Sequence, residues 1–283
     1  MSTLLDALRF SWDELRARPL KPVRVAVVDS GVDARHPDLR ARVVEAWRVE
    51  TRGGVRAVPA ARGRNQDLFG HGTGVAGIVT RIAPNAEIVD VRVLDRRNEA
   101  GGEMLVAGFE RALKTGSRIV NLSLACSDRF AGDLQDLCER AYRHNQVVVA
   151  AKRNMPLFDL GYPAEFSTCI SVDLGRFPTC FQLHWRKPPI EVVAQGEQVM
   201  TTAAGGGYAP MTGTSFATPT VSGLCALLLG AFPSLQMFEL KALLKWFAQS
   251  DPPAGPGGRG TPRAAPARPP RGRRRRAEEP RPM

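Results

Sequence analysis

The sequence predicts an α/β fold in which a parallel β-sheet is flanked by helices, giving three layers. Two observations lead to this prediction. Short β-branched apolar runs, typical of strands buried on both faces, recur along the chain and alternate with stretches of helical periodicity. With 283 residues, 43% of them hydrophobic, the chain is also long enough for one large α/β domain.

The predicted elements follow one another in strand–helix order. Strands are predicted at Val23–Val28, Ile88–Leu94, Arg118–Leu124 and Gln146–Ala151. Helices are predicted at Gly72–Ile82, Glu103–Thr115, Leu134–His144, Thr220–Leu229 and Leu235–Phe247. The helix at 220–229 is almost wholly apolar and should run through the core, whereas the last helix is amphipathic and should lie on the surface. Active sites in parallel sheets form beyond the carboxyl ends of strands, so the residues there are the first candidates.

Composition divides the chain into three regions. Residues 1–20 form a short helical extension, in which positions 3–17 carry apolar residues at helical spacing and Ser2 or Thr3 provides the cap. Residues 21–250 form the folded domain. Residues 251–283 are rich in Pro, Gly, Ala and Arg and have almost no large apolar side chain. Such a segment buries too little surface to offset the entropy of ordering, so it is predicted to be disordered.

Much of the positive charge lies in this tail. The formal net charge of the chain is +11, and residues 271–276 contain a run of arginines. By charge alone the run could bind nucleic acid, an anionic membrane or an acidic partner, and the alternative is a solvated basic tail. No recognition motif or interleaved aromatic residue supports nucleic-acid binding as the main function.

The cysteines and the N-terminal residues predict a cytoplasmic location. The five cysteines are odd in number and include no Cys-x-x-Cys pair, which argues against a disulfide framework and a structural zinc site. The first 20 residues contain acidic side chains and no continuous apolar stretch, so no signal peptide is predicted. No apolar run reaches transmembrane length, because 224–232 is too short.

Three short segments each contain a side chain used in acyl transfer. They are centred on Asp29 at the end of the first strand, His71 at the start of a Gly- and Ala-rich helix, and Ser215 just ahead of the apolar helix. Individually, Asp29 could cap a turn, His71 could be an ordinary core or surface histidine, and Ser215 could be only a helix N-cap. Together they supply an orienting acid, a proton-accepting base and a nucleophile.

These segments resemble those of the subtilisin family of serine peptidases. The resemblance is carried by Asp29-Ser30-Gly31-Val32, His36-Pro37-Asp38-Leu39, His71-Gly72-Thr73 with Val75-Ala76-Gly77, and Gly213-Thr214-Ser215 with Ala217-Thr218-Pro219. They occur in the family order of Asp, His and Ser. The likeness extends over residues 23–247 and implies a subtilisin-like fold.

The resemblance implies a role for each side chain. Ser215 would attack the scissile carbonyl, His71 would accept the serine proton, and Asp29 would orient the imidazole. Asn154 would complete an oxyanion hole with the backbone N–H of Ser215. Substrate-binding positions implied in the same way are Gly101, Gly102, Ser123, Leu124, Ala151 and Gly161. Gly161 would form the pocket floor, ahead of a Tyr-Pro bond that is commonly cis in the family.

Several positions depart from the family pattern. Lys152 and Arg153 stand where Ala-Gly is usual before the Asn, and they would favour an acidic side chain in the first pocket, obstruct that pocket, or point to solvent. Ala125 replaces a glycine and would narrow the same pocket. The helix that follows Gly77 leaves no room for the calcium loop of many family members, so no metal is predicted, and no cofactor is expected.

The leading hypothesis is a cytoplasmic serine endopeptidase that cleaves protein or peptide substrates through an acyl-enzyme. The main alternative is a catalytically degenerate fold of the same kind that binds peptides or proteins, motivated by Lys152, Arg153 and Ala125. Acyl transfer to an amine instead of water would use the same residues, and the sequence does not distinguish it.

Overall fold

The first predicted strand lies in the interior of a nine-stranded sheet, next to its middle strand. The computed structural model describes residues 3–154 and 161–249, and in it this strand is β1 (Val23–Asp29). It pairs in parallel with β4 (Ala86–Arg92) on one side and with β5 (Ile119–Leu122) on the other. The chain therefore builds one half of the sheet next to β1 before it crosses to the other half.

The other strands extend this sheet or form a small hairpin. They are β2 (Val43–Glu50), β3 (Arg56–Pro59), β6 (Val147–Ala151), β7 (Ile170–Gly175), β8 (His184–Trp185), β9 (Val192–Gln195), β10 (Val199–Thr202) and β11 (Tyr208–Met211). The order across the sheet is β3-β2-β4-β1-β5-β6-β7-β9-β8, and its edge strands β3 and β8 run antiparallel to their neighbours. The strands between them are parallel, whereas β10 and β11 form the separate antiparallel pair.

Helices cover both faces of the sheet, which confirms the predicted three-layer α/β fold. The helices that follow the N-terminal region are α3 (His71–Ile82), α4 (Gly102–Lys114), α5 (Ala131–Arg143), α6 (Thr214–Ala231) and α7 (Met237–Gln249). One apolar core lies under α3, α6 and α7, and a second lies under α4 and α5. The strand β1 feeds both, because Val25 and Val27 pack into the first core while Ala26 and Val28 pack into the second. Two-sided burial accounts for the continuous apolar run.

The N-terminal segment forms two helices where one was predicted over positions 3–17. They are α1 (Thr3–Ala7) and α2 (Trp12–Ala17). Ser11 separates them, because its side chain accepts the backbone N–H of Glu14 while the Glu14 carboxylate accepts the N–H of Ser11. This capping box begins a new helix. The proposed cap at Ser2 and the predicted tail at 251–283 lie outside the described residues.

Of the two C-terminal helices, the first is longer than predicted and the second has the predicted character. Helix α6 begins at Thr214 instead of Thr220, and among the described helices it is long and apolar enough to cross a membrane, yet 89% of it is buried inside the protein. Helix α7 is an amphipathic surface helix, as predicted, because Phe238 and Trp246 are exposed while Leu240, Leu243 and Leu244 are fully buried in the first core. Both helices are therefore structural members of that core.

Candidate active site

Three strands end side by side at the carboxyl edge of the sheet. The central strand β1 pairs with β5, and β5 with β6, so that Val28 lies opposite Leu122 and Leu122 opposite Ala150. Asp29 and Ser123 therefore emerge next to each other. The chain crosses from one half of the sheet to the other at this point, where parallel α/β sheets form their binding crevice.

Asp29 and His71 form a buried hydrogen-bonded pair. The Nδ1 of His71 lies 2.7 Å from Oδ1 of Asp29, and the backbone N–H of Ser30 donates to the same oxygen over 2.7 Å. Asp29 is fully buried, and His71 is 9% exposed. Because a carboxylate only accepts, the proton of neutral His71 resides on Nδ1, which leaves Nε2 as a proton acceptor.

Electrostatics and close packing both support this pair. Burial by itself lowers the pKa of His71, but the charge of Asp29, its hydrogen bond and the charge of Asp67 raise that pKa above its ordinary value. Gly72 allows the helix to approach, because a Cβ at this position would collide with the carbonyl oxygen of Gly31 and lie 3.2 Å from Oδ1 of Asp29. Steric contact thus explains why glycine follows the histidine in the His-Gly-Thr motif.

Ser215 lies in the first turn of α6, where Pro219 leaves its carbonyl oxygen without a helical donor. Proline has no N–H, so the oxygen four residues earlier must find another partner. The hydroxyl of Ser123 donates to this oxygen over 2.8 Å, and Oγ of Ser215 donates to the carbonyl oxygen of Ser123 over 2.9 Å. These reciprocal bonds hold the start of α6 against the end of β5.

A buried chain of hydrogen bonds fixes the Ser123 side chain. The hydroxyl of Ser222 donates to Oδ1 of Asn121 over 2.8 Å, and Nδ2 of Asn121 lies 2.9 Å from Oγ of Ser123. The hydroxyl of Ser215 is consequently directed at Ser123, and among the described residues it forms no hydrogen bond with His71. The His71 ring instead packs on the side chain of Phe216, with 4.9 Å between the ring centroids.

Asn154 is exposed beside the same turn, and Thr214 orients its side chain. Its Oδ1 accepts from the backbone N–H of Thr214 over 3.3 Å and lies 3.1 Å from the Thr214 hydroxyl. That hydroxyl also donates to the carbonyl oxygen of Lys152 over 2.7 Å. Since Oδ1 faces these donors, the Nδ2 group is the side of the amide left to donate to a bound oxygen.

A groove joins two of the predicted substrate-binding segments. The cavity has a volume of about 420 Å³, and its walls include Gly101 and Gly102 on one side and Ser123 and Leu124 on the other. The two other predicted positions do not line this cavity, although Gly161 lies against Ala125, which does. Ala151 is the buried last residue of β6, and Gly161 precedes the Tyr162-Pro163 bond, which is cis.

A family comparison matches both the motifs and the fold. The model of the subtilase family, peptidase S8, matches residues 21–264. The chain belongs to the subtilase family. It is 32% identical to Subtilisin E of Bacillus subtilis (strain 168) over 228 residues, which are 75% of this chain and 56% of that protein. The chain thus spans little more than half the length of that subtilase.

Two further subtilases and one solved structure give the same picture. Identity is 31% over 228 residues to the subtilisin of Bacillus pumilus, covering 75% of this chain and 78% of that one. It is 30% over 235 residues to the intracellular serine protease of Paenibacillus polymyxa, covering 77% and 68%. The structure of Sphericase superposes with a TM-score of 0.67 at 26% identity, covering 80% of this chain and 82% of Sphericase.

Lys152 and Arg153, the two basic residues that depart from the family pattern, contact different parts of the protein. Nζ of Lys152 lies 3.1 Å from Oδ2 of Asp173, so Lys152 is held toward β7 and its side chain is only 16% exposed. Arg153 instead borders Gly161, because a Cβ on Gly161 would lie 3.1 Å from Cβ of Arg153 and 2.9 Å from Cβ of Ala125. The two departures at Ala125 and Arg153 therefore narrow the same place, the expected pocket floor.

Asp67 is a residue of the candidate site that was not predicted from the sequence. Its Oδ1 accepts from the Ser30 hydroxyl over 2.8 Å and from the N–H groups of Phe69 and Gly70. Its Oδ2 accepts from the N–H and the hydroxyl of Thr73. Asp67 therefore ties the turn after Asp29 to the start of α3. The N-cap of α3 is Gly70, which has no side chain to cap the helix. A carboxylate a few residues before such a helix is the sequence signal that could have identified Asp67.

Asp90, on β4, is a second missed residue beneath this site. It is almost fully buried, and Nε2 of Gln66 donates to its Oδ2 over 2.8 Å. Burial raises the pKa of Asp90 to about 8, against the hydrogen bonds from Val32 and Gln66. The carboxyl group is therefore mostly protonated at neutral pH. Its hydrogen bonds join the segments of Val32 and Gln66, which flank the turn after Asp29.

The protonation of Asp90 predicts a pH-dependent stability. The unfolded carboxyl group loses its proton near its ordinary pKa of about 3.9, whereas the folded group keeps it up to a pKa of about 8. Its contribution to the free energy of unfolding is fully present below the lower value and is lost as the pH rises through the upper one. Asp90→Asn stays uncharged and should remove this dependence, which amounts to several kcal/mol. Urea denaturation of both proteins at about pH 5 and pH 9 checks this. An equal change in the free energy of unfolding between the two pH values in both proteins would contradict the prediction.

Proposed function

We propose that this subtilase is a serine endopeptidase in which Ser215 is the nucleophile, His71 the general base and Asp29 the residue that orients His71. The observation that carries the proposal is the 2.7 Å hydrogen bond from Nδ1 of His71 to buried Asp29, at the sheet edge where Ser215 begins α6. This bond leaves Nε2 of His71 able to accept a proton. The names of the relatives, serine proteases and subtilisins, support the same activity.

The reaction begins with a rotation of the Ser215 side chain. Its hydroxyl leaves the carbonyl oxygen of Ser123 and turns toward Nε2 of His71, a change of one side-chain torsion between staggered positions. The oxygen then attacks the peptide carbonyl while His71 takes the proton. The imidazolium, stabilised by Asp29, gives this proton to the leaving amine, and water hydrolyses the acyl-enzyme by the same steps.

Asn154 and the backbone N–H of Ser215 are proposed to bind the oxyanion. Thr214 holds Oδ1 of Asn154, so that Nδ2 faces outward as a donor. The N–H of Ser215 lies in the first turn of α6, where such groups have no helical acceptor and the helix dipole favours negative charge.

Asn154→Ala should lower kcat by about 10²–10³-fold and leave KM nearly unchanged, because the lost hydrogen bond forms in the transition state; this is the loss known for the corresponding asparagine of subtilisin. Steady-state kinetics on one fluorogenic peptide check it. A rise in KM at constant kcat would instead identify Asn154 as a residue that binds the ground state.

The function is tested by two measurements on the wild-type protein. A fluorophosphonate probe should label the protein stoichiometrically at Ser215, as located by mass spectrometry of the tryptic peptides. A peptide library should then give cleaved products, and the residues before each cut report the pocket narrowed by Ala125 and Arg153. Small side chains before the cut are expected, since the two side chains crowd Gly161. Absence of both labelling and cleavage would refute the proposal.

A binding function without catalysis is the second candidate. It is favoured by one observation, the hydroxyl of Ser215 donating to Ser123 while His71 lies against Phe216. A protein that fails to react with the probe and still binds a peptide would support it. Acyl transfer to an amine remains a prediction, which product mass spectrometry distinguishes from hydrolysis.

We further propose protein or peptide substrates and a cytoplasmic location. The groove between Gly102 and Ser123 suits an extended chain. All five cysteines are free thiols, as is typical of reducing compartments, and one relative is described as intracellular. Binding of an acidic partner or nucleic acid by the basic tail stays a prediction.

A further inference from the structure

Two adjoining cavities beside the proposed active site are lined by arginines. Their volumes are about 590 and 350 Å³, and they share Arg64 and Asn65. The arginines that line them, called here the arginine basin, are Arg35, Arg48, Arg64, Arg92 and Arg96. Among the described residues that line them, Asp67 is the one acid, and both of its oxygens already accept hydrogen bonds from Ser30, Thr73 and the turn before His71. The basin therefore presents a large positive charge.

Only part of this charge is balanced by neighbouring acids. Arg35 pairs with Asp33 at 3.3 Å, and Arg48 pairs with Glu50 at 2.6 Å. Arg64, Arg92 and Arg96 have no ion pair with any other described residue. Burial and the charges of Arg48 and Arg96 lower the pKa of Arg92, against Asp90 and Glu50, which raise it. Guanidinium groups gathered in this way give a positive potential that favours a bound anion.

The basin lies along the path of the proposed substrate. Asp67 and Leu68, which line its larger cavity, directly precede the turn into His71. On the other side, Arg96 follows Leu94, and Leu94 lines the groove that also contains Gly101 and Ser123. The groove and the basin are therefore neighbours, because residues only two positions apart line one and the other.

We propose that the arginine basin binds carboxylate side chains of the substrate beyond the residues held in the groove, so that this peptidase prefers acidic protein segments. The inference rests on the proposed function. Guanidinium groups bind carboxylates with two parallel hydrogen bonds, which gives such a site both strength and orientation. Nucleic acid is the less suitable ligand, because the described residues that line the two cavities include no aromatic side chain on which a base could stack.

The test compares two fluorogenic peptides that share a cleavable core and carry either four Glu or four Gln beyond it, made with the extension at each end in turn. In the wild-type protein we expect kcat/KM for one Glu peptide to exceed that of its Gln counterpart by about tenfold in roughly 50 mM salt, and the advantage to shrink in roughly 300 mM salt. In Arg64→Gln/Arg96→Gln the ratio should fall to about 1. The matched control, Arg52→Gln/Arg56→Gln, removes equal charge from exposed positions outside the basin and should keep the ratio.

A binding measurement separates this inference from the proposed function. Fluorescence anisotropy of the labelled Glu peptide with Ser215→Ala requires no hydrolysis, and affinity should fall when Arg64→Gln/Arg96→Gln is added. If no peptide is cleaved and this loss is still seen, the basin is supported and the peptidase proposal fails. Equal affinity in both proteins, or an equal Glu preference in all variants, would overturn the basin proposal. Stronger competition by an oligonucleotide of the same charge than by the unlabelled Glu peptide would also overturn it, in favour of nucleic acid.

Discussion

Ser215→Ala is expected to abolish peptide hydrolysis, with a fall in kcat of about a million-fold, the loss known for removal of the nucleophile in subtilisin itself. Only the small residual rate that oxyanion and substrate binding provide should survive, because the proposed mechanism has no second nucleophile. Reaction with a fluorophosphonate should disappear as well, because the probe forms its bond to the same oxygen. Hydrolysis and labelling can be measured on one preparation.

The matched control for this experiment is Ser234→Ala, which removes an exposed serine hydroxyl whose contact is with Thr3. It should keep both hydrolysis and labelling. Labelling of Ser215→Ala at the wild-type level would show that another residue is the nucleophile. Circular dichroism of Ser215→Ala verifies that the loss is chemical, since the variant also lacks the hydrogen bond to Ser123.

Asp29→Asn is expected to lower kcat by about 10⁴-fold near neutral pH. The amide can donate to Nδ1 of His71, which places the imidazole proton on Nε2 and removes the acceptor that Ser215 needs. Removing the carboxylate charge also removes a cause of the raised pKa of His71. The measurement is kcat as a function of pH, compared with Asp13→Asn as a control on exposed α2.

The sign of the pH effect follows from the role of His71 as a base. Only the neutral imidazole accepts a proton, so activity should rise as the pH passes upward through the pKa of His71. That pKa is raised in the wild-type protein. The midpoint of the acid limb of its kcat–pH profile should therefore lie above the ordinary pKa of histidine. In Asp29→Asn the limb should move to lower pH. A wild-type limb below the ordinary value would contradict the coupling between Asp29 and His71.

Elements with one simple periodicity were predictable from the sequence. The strand at Val23–Val28 was found because burial on both faces leaves an unbroken apolar run. By contrast, β2 and β7 went unpredicted because their side chains are only partly buried and include charged residues such as Glu45 and Asp173. Helix α6 was predicted too short because Pro219 and the small polar residues before it do not look helical, although a proline near a helix start is tolerated.

The site was predictable where a motif is local and unpredictable where partners come from distant segments. Asp29 and His71 were chosen from their motifs, and the structure places them in a hydrogen bond across 42 positions. The direction of Lys152 depends on Asp173, 21 positions away on another strand. The hydrogen bonds of Asp67 and the burial of Asp90 depend on side-chain contacts that a periodic sequence pattern does not predict.

The contact between the two ends of the described chain bears on how the protein folds. The ring centroids of Trp12 and Phe247 are 4.2 Å apart. The hydroxyls of Thr3 and Ser234, which are 231 positions apart in the sequence, form a hydrogen bond. During synthesis the N-terminal helices emerge first, yet the ring of Trp12 packs on Phe247, so its burial is complete only after α7 has been made. Contacts of such long range form late and slow folding. Until α7 has been made, Trp12 therefore lacks part of its packing, and the need of the nascent chain for chaperone protection should be greatest before that point.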